Sequence, residues 1–166
     1  RTNYAEAEKY IQDNKLDWIH FHTVSGDIGL DTIYKRNALS VELEKIFELS
    51  SGLIFFGGPD IVPGAYGEET NLHTVVTDPF RHYFELTAIF HLLGGSQDPA
   101  FKGYLEKRPD FPVLGICLGM QSLNVGTGGT LVQDIRAESY FARTVEDVIR
   151  LGPFAWHTNP HTKLAP

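Results

Sequence analysis

The chain holds a single cysteine, Cys117, and glycines stand two places to either side of it, Gly115 and Gly119. Val113-Leu114-Gly115-Ile116 is apolar with a β-branched residue at each end, so it reads as a short buried strand. Met120-Gln121-Ser122-Leu123-Asn124-Val125 follows and reads as a helix. Strand, Gly-x-Cys-x-Gly, helix is the pattern of a nucleophile elbow with sulfur in place of hydroxyl. The turn is tight, which demands small residues around the nucleophile. The nucleophile then sits at a helix N-terminus, where the helix dipole favours a thiolate. A lone cysteine is more often a buried, inert residue, but the glycine spacing argues against that here.

A second stretch has the same character. Leu53-Ile54-Phe55-Phe56 reads as a buried strand and runs straight into Gly57-Gly58-Pro59-Asp60. Two glycines at a strand's C-terminal end let the backbone turn sharply and leave N–H groups free. In an open α/β sheet, ligands bind at those strand ends. An N–H there could hold an oxyanion formed by attack from Cys117. Without the elbow, a plain turn before a proline-rich loop explains the same residues equally well.

The remaining elements must position these two turns. Residues 3–13 carry Tyr4, Ala7, Tyr10 and Ile11 on one helical face, and Leu16–Val24 reads as a strand. His20 and His22 share a face of that strand. Two such histidines could bind a metal, but no third ligand lies near them, and ordinary strand positions are the expectation. Asn37 can cap a helix whose buried stripe is Leu39, Leu43, Ile46 and Phe47. Asp78-Pro79 starts a helix that runs to about Leu93 and stops at Gly94-Gly95. Its apolar residues cover so much of its circumference that it is buried on more than one side. Arg81 and Glu85 on it are spaced to pair; the pair is either structural or turned toward the site. Thr130-Leu131-Val132 reads as another short strand. Alternating strands and helices predict βαβ units and a parallel sheet with helices on both faces.

Composition sets the outer bounds. A chain of 166 residues suits one domain with a sizeable core. A net charge of −7 argues against nucleic acid or an anionic membrane as the main partner. One cysteine cannot form an internal disulfide, no apolar run reaches the length of a membrane span, and no signal peptide is visible. A cytoplasmic location is the expectation, although a presequence already removed would leave no trace.

Gly115-Ile116-Cys117-Leu118-Gly119-Met120-Gln121 resembles the nucleophile motif of class I glutamine amidotransferases. The segment from Leu123 through Gly128-Gly129-Thr130-Leu131-Val132-Gln133-Asp134-Ile135 is similar to one branch of that superfamily, the gamma-glutamyl hydrolase and gamma-glutamyl-GABA hydrolase peptidases. Gly57-Gly58-Pro59-Asp60 with Pro63 and Tyr66-Gly67-Glu68 resembles the same branch, as does Asp78…Arg81…Phe84-Glu85. The resemblance covers about residues 50–136. One departure is Leu118, where this branch commonly has Arg and the amidotransferases proper have Leu.

The resemblance implies a single α/β domain over residues 1–166, a three-layer sandwich with a mostly parallel sheet of the flavodoxin-like kind, incomplete at one or both ends. It implies a cysteine hydrolase that cleaves γ-glutamyl amide bonds through a thioester. Cys117 would be the nucleophile, the backbone N–H groups of Gly58 and Leu118 the oxyanion hole, and Gln121 a residue holding the glutamyl group. No metal or other cofactor is expected, the partner is a small γ-glutamyl amide, and homo-oligomerisation stays open. A histidine followed two residues later by an acid would complete the machinery. Two after His157 is Asn159, and two after His161 is Lys163, so neither fits and the pair is expected outside this stretch of chain. A glutaminase subunit feeding ammonia to a synthase is one alternative. A non-catalytic binding protein that kept the fold is another.

Overall fold

A computed structural model describes residues 2–151. Helix α1 spans Thr2–Asp13 and α2 spans Ser40–Leu49. Strand β1 is Leu53–Phe55, α3 is Pro79–Leu93, β2 is Val113–Gly115 and α4 is Leu118–Gly126. Helices α5, Ile135–Tyr140, and α6, Val145–Leu151, follow. Single 3-10 turns lie at Pro63–Tyr66 and Tyr104–Glu106. Among the described residues, no helix is long and apolar enough to cross a membrane.

The fold is mixed α/β with a parallel sheet. β1 and β2 pair parallel, with Leu53 opposite Val113, Ile54 opposite Leu114 and Phe55 opposite Gly115. Side chains alternate across a strand, so Leu53, Phe55 and Val113 share one face. That face packs with Leu43 and Phe47 of α2, Ala88, Ile89 and Leu92 of α3, and Leu123 of α4. On the opposite face Ile54 and Leu114 remain 52% and 53% exposed, so helices cover one side of the pair among the described residues. A second core gathers Ile33, Ile61, Leu86, Leu118 and Val125 beneath the loop that follows β1.

Helix α3 is the spine between these cores, and it forms as its sequence dictates. The Asp78 carboxylate caps it by accepting from the Arg81 N–H at 3.2 Å, and Pro79 takes the first helical position. Gly94 ends it with φ at +72°. From Glu85 to Leu92 every side chain is buried, as expected of a helix packed on more than one side, while Phe80 and Phe84 near its start stay exposed.

Two expected strands are absent. Leu16–Val24 runs irregularly: a strand exists only through its ladder bonds, and no described strand pairs with it. Phe21 instead stacks on Tyr4 of α1 at 4.6 Å, Val24 packs against the main core, and His22 bonds Glu42 at 2.8 Å. Of Thr130–Val132, only Thr130 makes a bridge. Asn37 does act at the start of α2, its side-chain oxygen accepting from the Leu39 N–H at 2.9 Å.

Candidate active site

Cys117 stands at the turn from β2 into α4, and its backbone is held at φ 56° and ψ −113°. A non-glycine residue with positive φ is strained, at a cost on the order of 1–3 kcal/mol, and such strain gathers at functional sites. The flanking glycines explain how the turn closes. A Cβ on Gly115 would lie 2.7 Å from backbone atoms of Gly119 and Met120. A Cβ on Gly119 would meet the backbone carbonyl of Phe55. The elbow is therefore packed backbone against backbone, and its cysteine side chain is exposed.

The β1 turn lies directly alongside. The Ile116 N–H donates to the Phe55 carbonyl at 2.9 Å, which continues the ladder past β2 and brings Gly57 opposite Cys117. A Cβ built on Gly57 would lie 3.6 Å from Cys117 Sγ. Gly58 is one residue further on, wedged between Arg81 and Leu118: a Cβ there would lie 2.9 Å from Arg81 Cζ and 3.0 Å from Leu118 Cδ2. Among the described residues no acceptor takes the Gly58 N–H. The Leu118 N–H belongs to the first residue of α4 and has no partner within the helix.

Gln121 lies four residues after Cys117 on α4 and lines a cavity of about 270 Å³. Asp60, Tyr66, His73, Gln133 and Arg136 also line it. Gln133 ties its walls together: its side-chain oxygen accepts from the Asn71 N–H at 2.8 Å and the Thr74 hydroxyl at 2.9 Å, and its nitrogen donates to the Glu69 carbonyl at 2.8 Å. Burial, then the carboxylates of Glu68, Glu138 and Asp60, push the Tyr66 phenol above its ordinary pKa, so it remains a protonated donor at neutral pH. His73 and Arg136 escape sequence reasoning, and Tyr66 enters it only as part of the Tyr66-Gly67-Glu68 motif, because only the folded loop brings residues 60–74 against 131–136. His157 and His161 lie outside the described residues.

The model of the Peptidase C26 family matches residues 3–163. The chain belongs to the Peptidase C26 family. This is a family of cysteine-type hydrolases and amidotransferases, with the class I glutamine amidotransferase-like fold. Among similar proteins is the glutamine amidotransferase-like YvdE homolog of Lactococcus lactis subsp. cremoris, 38% identical over 128 residues, covering 76% of this chain and 61% of that protein. The YvdE protein of Lactococcus lactis subsp. lactis is 34% identical over 128 residues, with 76% and 48% covered. The Rickettsia prowazekii protein RP404, also named glutamine amidotransferase-like, is 35% identical over 137 residues, with 81% and 41% covered. This Peptidase C26 chain thus spans less than two thirds of the length of these relatives.

Proposed function

We propose that the full protein hydrolyses γ-glutamyl amide bonds with Cys117 as nucleophile. The observation that carries this reading is the strained, exposed Cys117 facing the Gly57 turn, one helical turn before Gln121, which lines the neighbouring cavity while Cys117 itself does not.

The reaction runs in two halves. Cys117 Sγ forms a bond to the γ-carbonyl carbon while the carbonyl π pair moves onto oxygen. The resulting oxyanion sits on the Gly58 and Leu118 N–H groups, donors fixed before the substrate arrives. Collapse breaks the C–N bond, the amine leaves with a proton from a general acid, and a thioester remains. Water, deprotonated by the same group, then releases glutamate and the thiol. Gln121 and the polar groups around it suit an amino-acid head group carrying both an ammonium and a carboxylate: Asp60 and Arg136 supply the two signs.

The proton carrier is a histidine within hydrogen-bond reach of Sγ. Three described histidines are engaged elsewhere: His22 with Glu42, His82 with Val62 and His91 with Ser40. His157 and His161 lack an acid two residues on, so we assign the role to a histidine outside residues 1–166.

The test is turnover of a chromogenic γ-glutamyl anilide by the full-length protein, a version ending at Pro166, and Cys117→Ala. Turnover by the first alone is the expected result. Equal turnover by the truncated version would assign the base to this chain, with His73, His157 and His161 the first to mutate. No turnover from any version, across several γ-glutamyl amides, would favour a binding protein.

A further inference from the structure

We infer that Arg81 is a positioning residue that locks the Gly57–Gly58 peptide in the orientation that aims the Gly58 N–H at the reacting carbonyl oxygen. This rests on the reading of Gly58 as an oxyanion donor. Arg81 Nη2 donates to the Gly57 carbonyl at 2.9 Å and to the Phe56 carbonyl at 3.3 Å. The Gly57 carbonyl and the Gly58 N–H belong to one planar trans peptide, in which they point in opposite directions. Holding the carbonyl on the guanidinium therefore turns the N–H away from Arg81. A charged donor on the carbonyl also polarises the peptide and strengthens its N–H as a donor.

The lock matters because this peptide is free to flip. Flipping rotates φ of Gly58 by about half a turn, which glycine accepts and other residues resist. The guanidinium is in turn held from behind. Its Nε donates to Glu85 Oε1 at 2.8 Å, and Glu85 Oε2 accepts from the Ser122 hydroxyl at 3.2 Å. Glu85 and Ser122 are 9% and 1% exposed, so the far end of the chain of bonds is sheltered from water, while the bonds from Arg81 to the turn lie at the surface. Ser122 lies on α4, five residues after Cys117. The same chain thereby ties the helix that bears the Leu118 N–H to the turn that bears the Gly58 N–H, and sets the two donors relative to each other.

The experiment uses the full-length protein with Arg81→Ala and Arg81→Lys. It compares steady-state kinetics on a γ-glutamyl anilide, the rate of Cys117 alkylation by iodoacetamide, and crystal structures of the variants. Alkylation is displacement at a saturated carbon and needs no oxyanion hole, so it separates positioning from damage to the elbow. Arg81→Ala should lower kcat by about a hundredfold or more with little change in KM, as expected for a donor used only in the transition state. Alkylation should be unchanged, and the crystal should show the Gly57 carbonyl rotated from its present direction. Lysine carries its three donors on one nitrogen and lacks the planar fork with which Arg81 reaches Glu85 through Nε and the carbonyl through Nη2, so it should restore only part of the rate. Unchanged kcat, or a parallel loss of kcat and alkylation, would overturn the inference. If the wild-type protein turns over no γ-glutamyl amide, the proposed function fails, and the crystal alone decides the lock: a rotated carbonyl upholds it and an unmoved one refutes it. Should Arg81→Ala not fold, Arg81→Lys carries the same comparison.

Discussion

Gly57 stands opposite Cys117, with the position of a Gly57 Cβ 3.3 Å from Cys117 Cβ and 3.6 Å from its sulfur. The relationship is a product of register: Phe55 pairs with Gly115, and two residues further on the same parallel alignment sets Gly57 against Cys117. The Gly57–Gly58 turn and Cys117 are thus neighbours through the hydrogen-bonded ladder itself.

Alanine at the two kinds of glycine should separate crowding from collapse. A methyl on Gly57 meets the Cys117 side chain at 3.3 Å and the Ile116 carbonyl oxygen only at 4.0 Å, so Gly57→Ala should fold and should slow alkylation of Cys117 by iodoacetamide. A methyl on Gly119 would lie 2.5 Å from the Phe55 carbonyl carbon, where nothing flexible can yield. Gly119→Ala should cost about 3 kcal/mol or more in urea denaturation, or leave the protein insoluble. A Gly119→Ala protein of wild-type stability would show that the elbow is packed differently.

Strain at Cys117 gives a stability signature of its own. Glycine relieves a positive φ that alanine does not, so Cys117→Gly should be more stable than Cys117→Ala by on the order of 1 kcal/mol, although both lack the thiol. Glycine's greater freedom in the unfolded chain opposes this gain. Denaturant midpoints of the two variants decide the sign, and a less stable glycine variant would contradict the strained elbow.

Two buried histidines set the acid side of the stability profile. Burial lowers the pKa of His82 and of His91, each from 6.5. Folded, they stay neutral at pH values where the unfolded chain would protonate them, so the unfolded state binds more protons. Their cost is absent well above pH 6.5, and stability declines as pH falls below that value toward the lowered folded values. His82 would also lose Nδ1 as acceptor for the Val62 N–H, a bond of 3.3 Å that steadies the loop after β1. Melting temperatures measured downward from neutral pH should fall, and the His82→Gln/His91→Gln double variant should show a shallower slope. Identical slopes would assign the acid sensitivity elsewhere.

Much of this was legible in residue types whose constraints are local. The Gly-x-Cys-x-Gly elbow, the Asp78-Pro79 helix start and the Gly94 stop each depend on a few adjacent residues, and all three appear in the structure. Leu16–Val24 misled because its β-branched and aromatic residues suit a strand, yet no described strand lies beside it to supply the ladder. The Arg81–Glu85 spacing was visible, but its use was not. The i,i+4 geometry says nothing of the Gly57 carbonyl or of Ser122, which reach the pair only through the crossing of α3 and α4. Similarly, Gln121 was legible as one turn beyond the nucleophile, whereas His73 and Tyr66 depend on the path of the loop after β1.

The central claim is that Cys117 carries the γ-glutamyl group as a thioester, and acid-quenched mass spectrometry tests it most directly. The full-length protein would be mixed with a γ-glutamyl anilide, quenched during turnover, digested and analysed for the peptide bearing Cys117. The account predicts a glutamyl adduct on that peptide, removed by hydroxylamine and absent from Cys117→Ala, which also fails to release the aniline. Release of the aniline by Cys117→Ala at the wild-type rate, or a glutamyl adduct on any other residue, would contradict it.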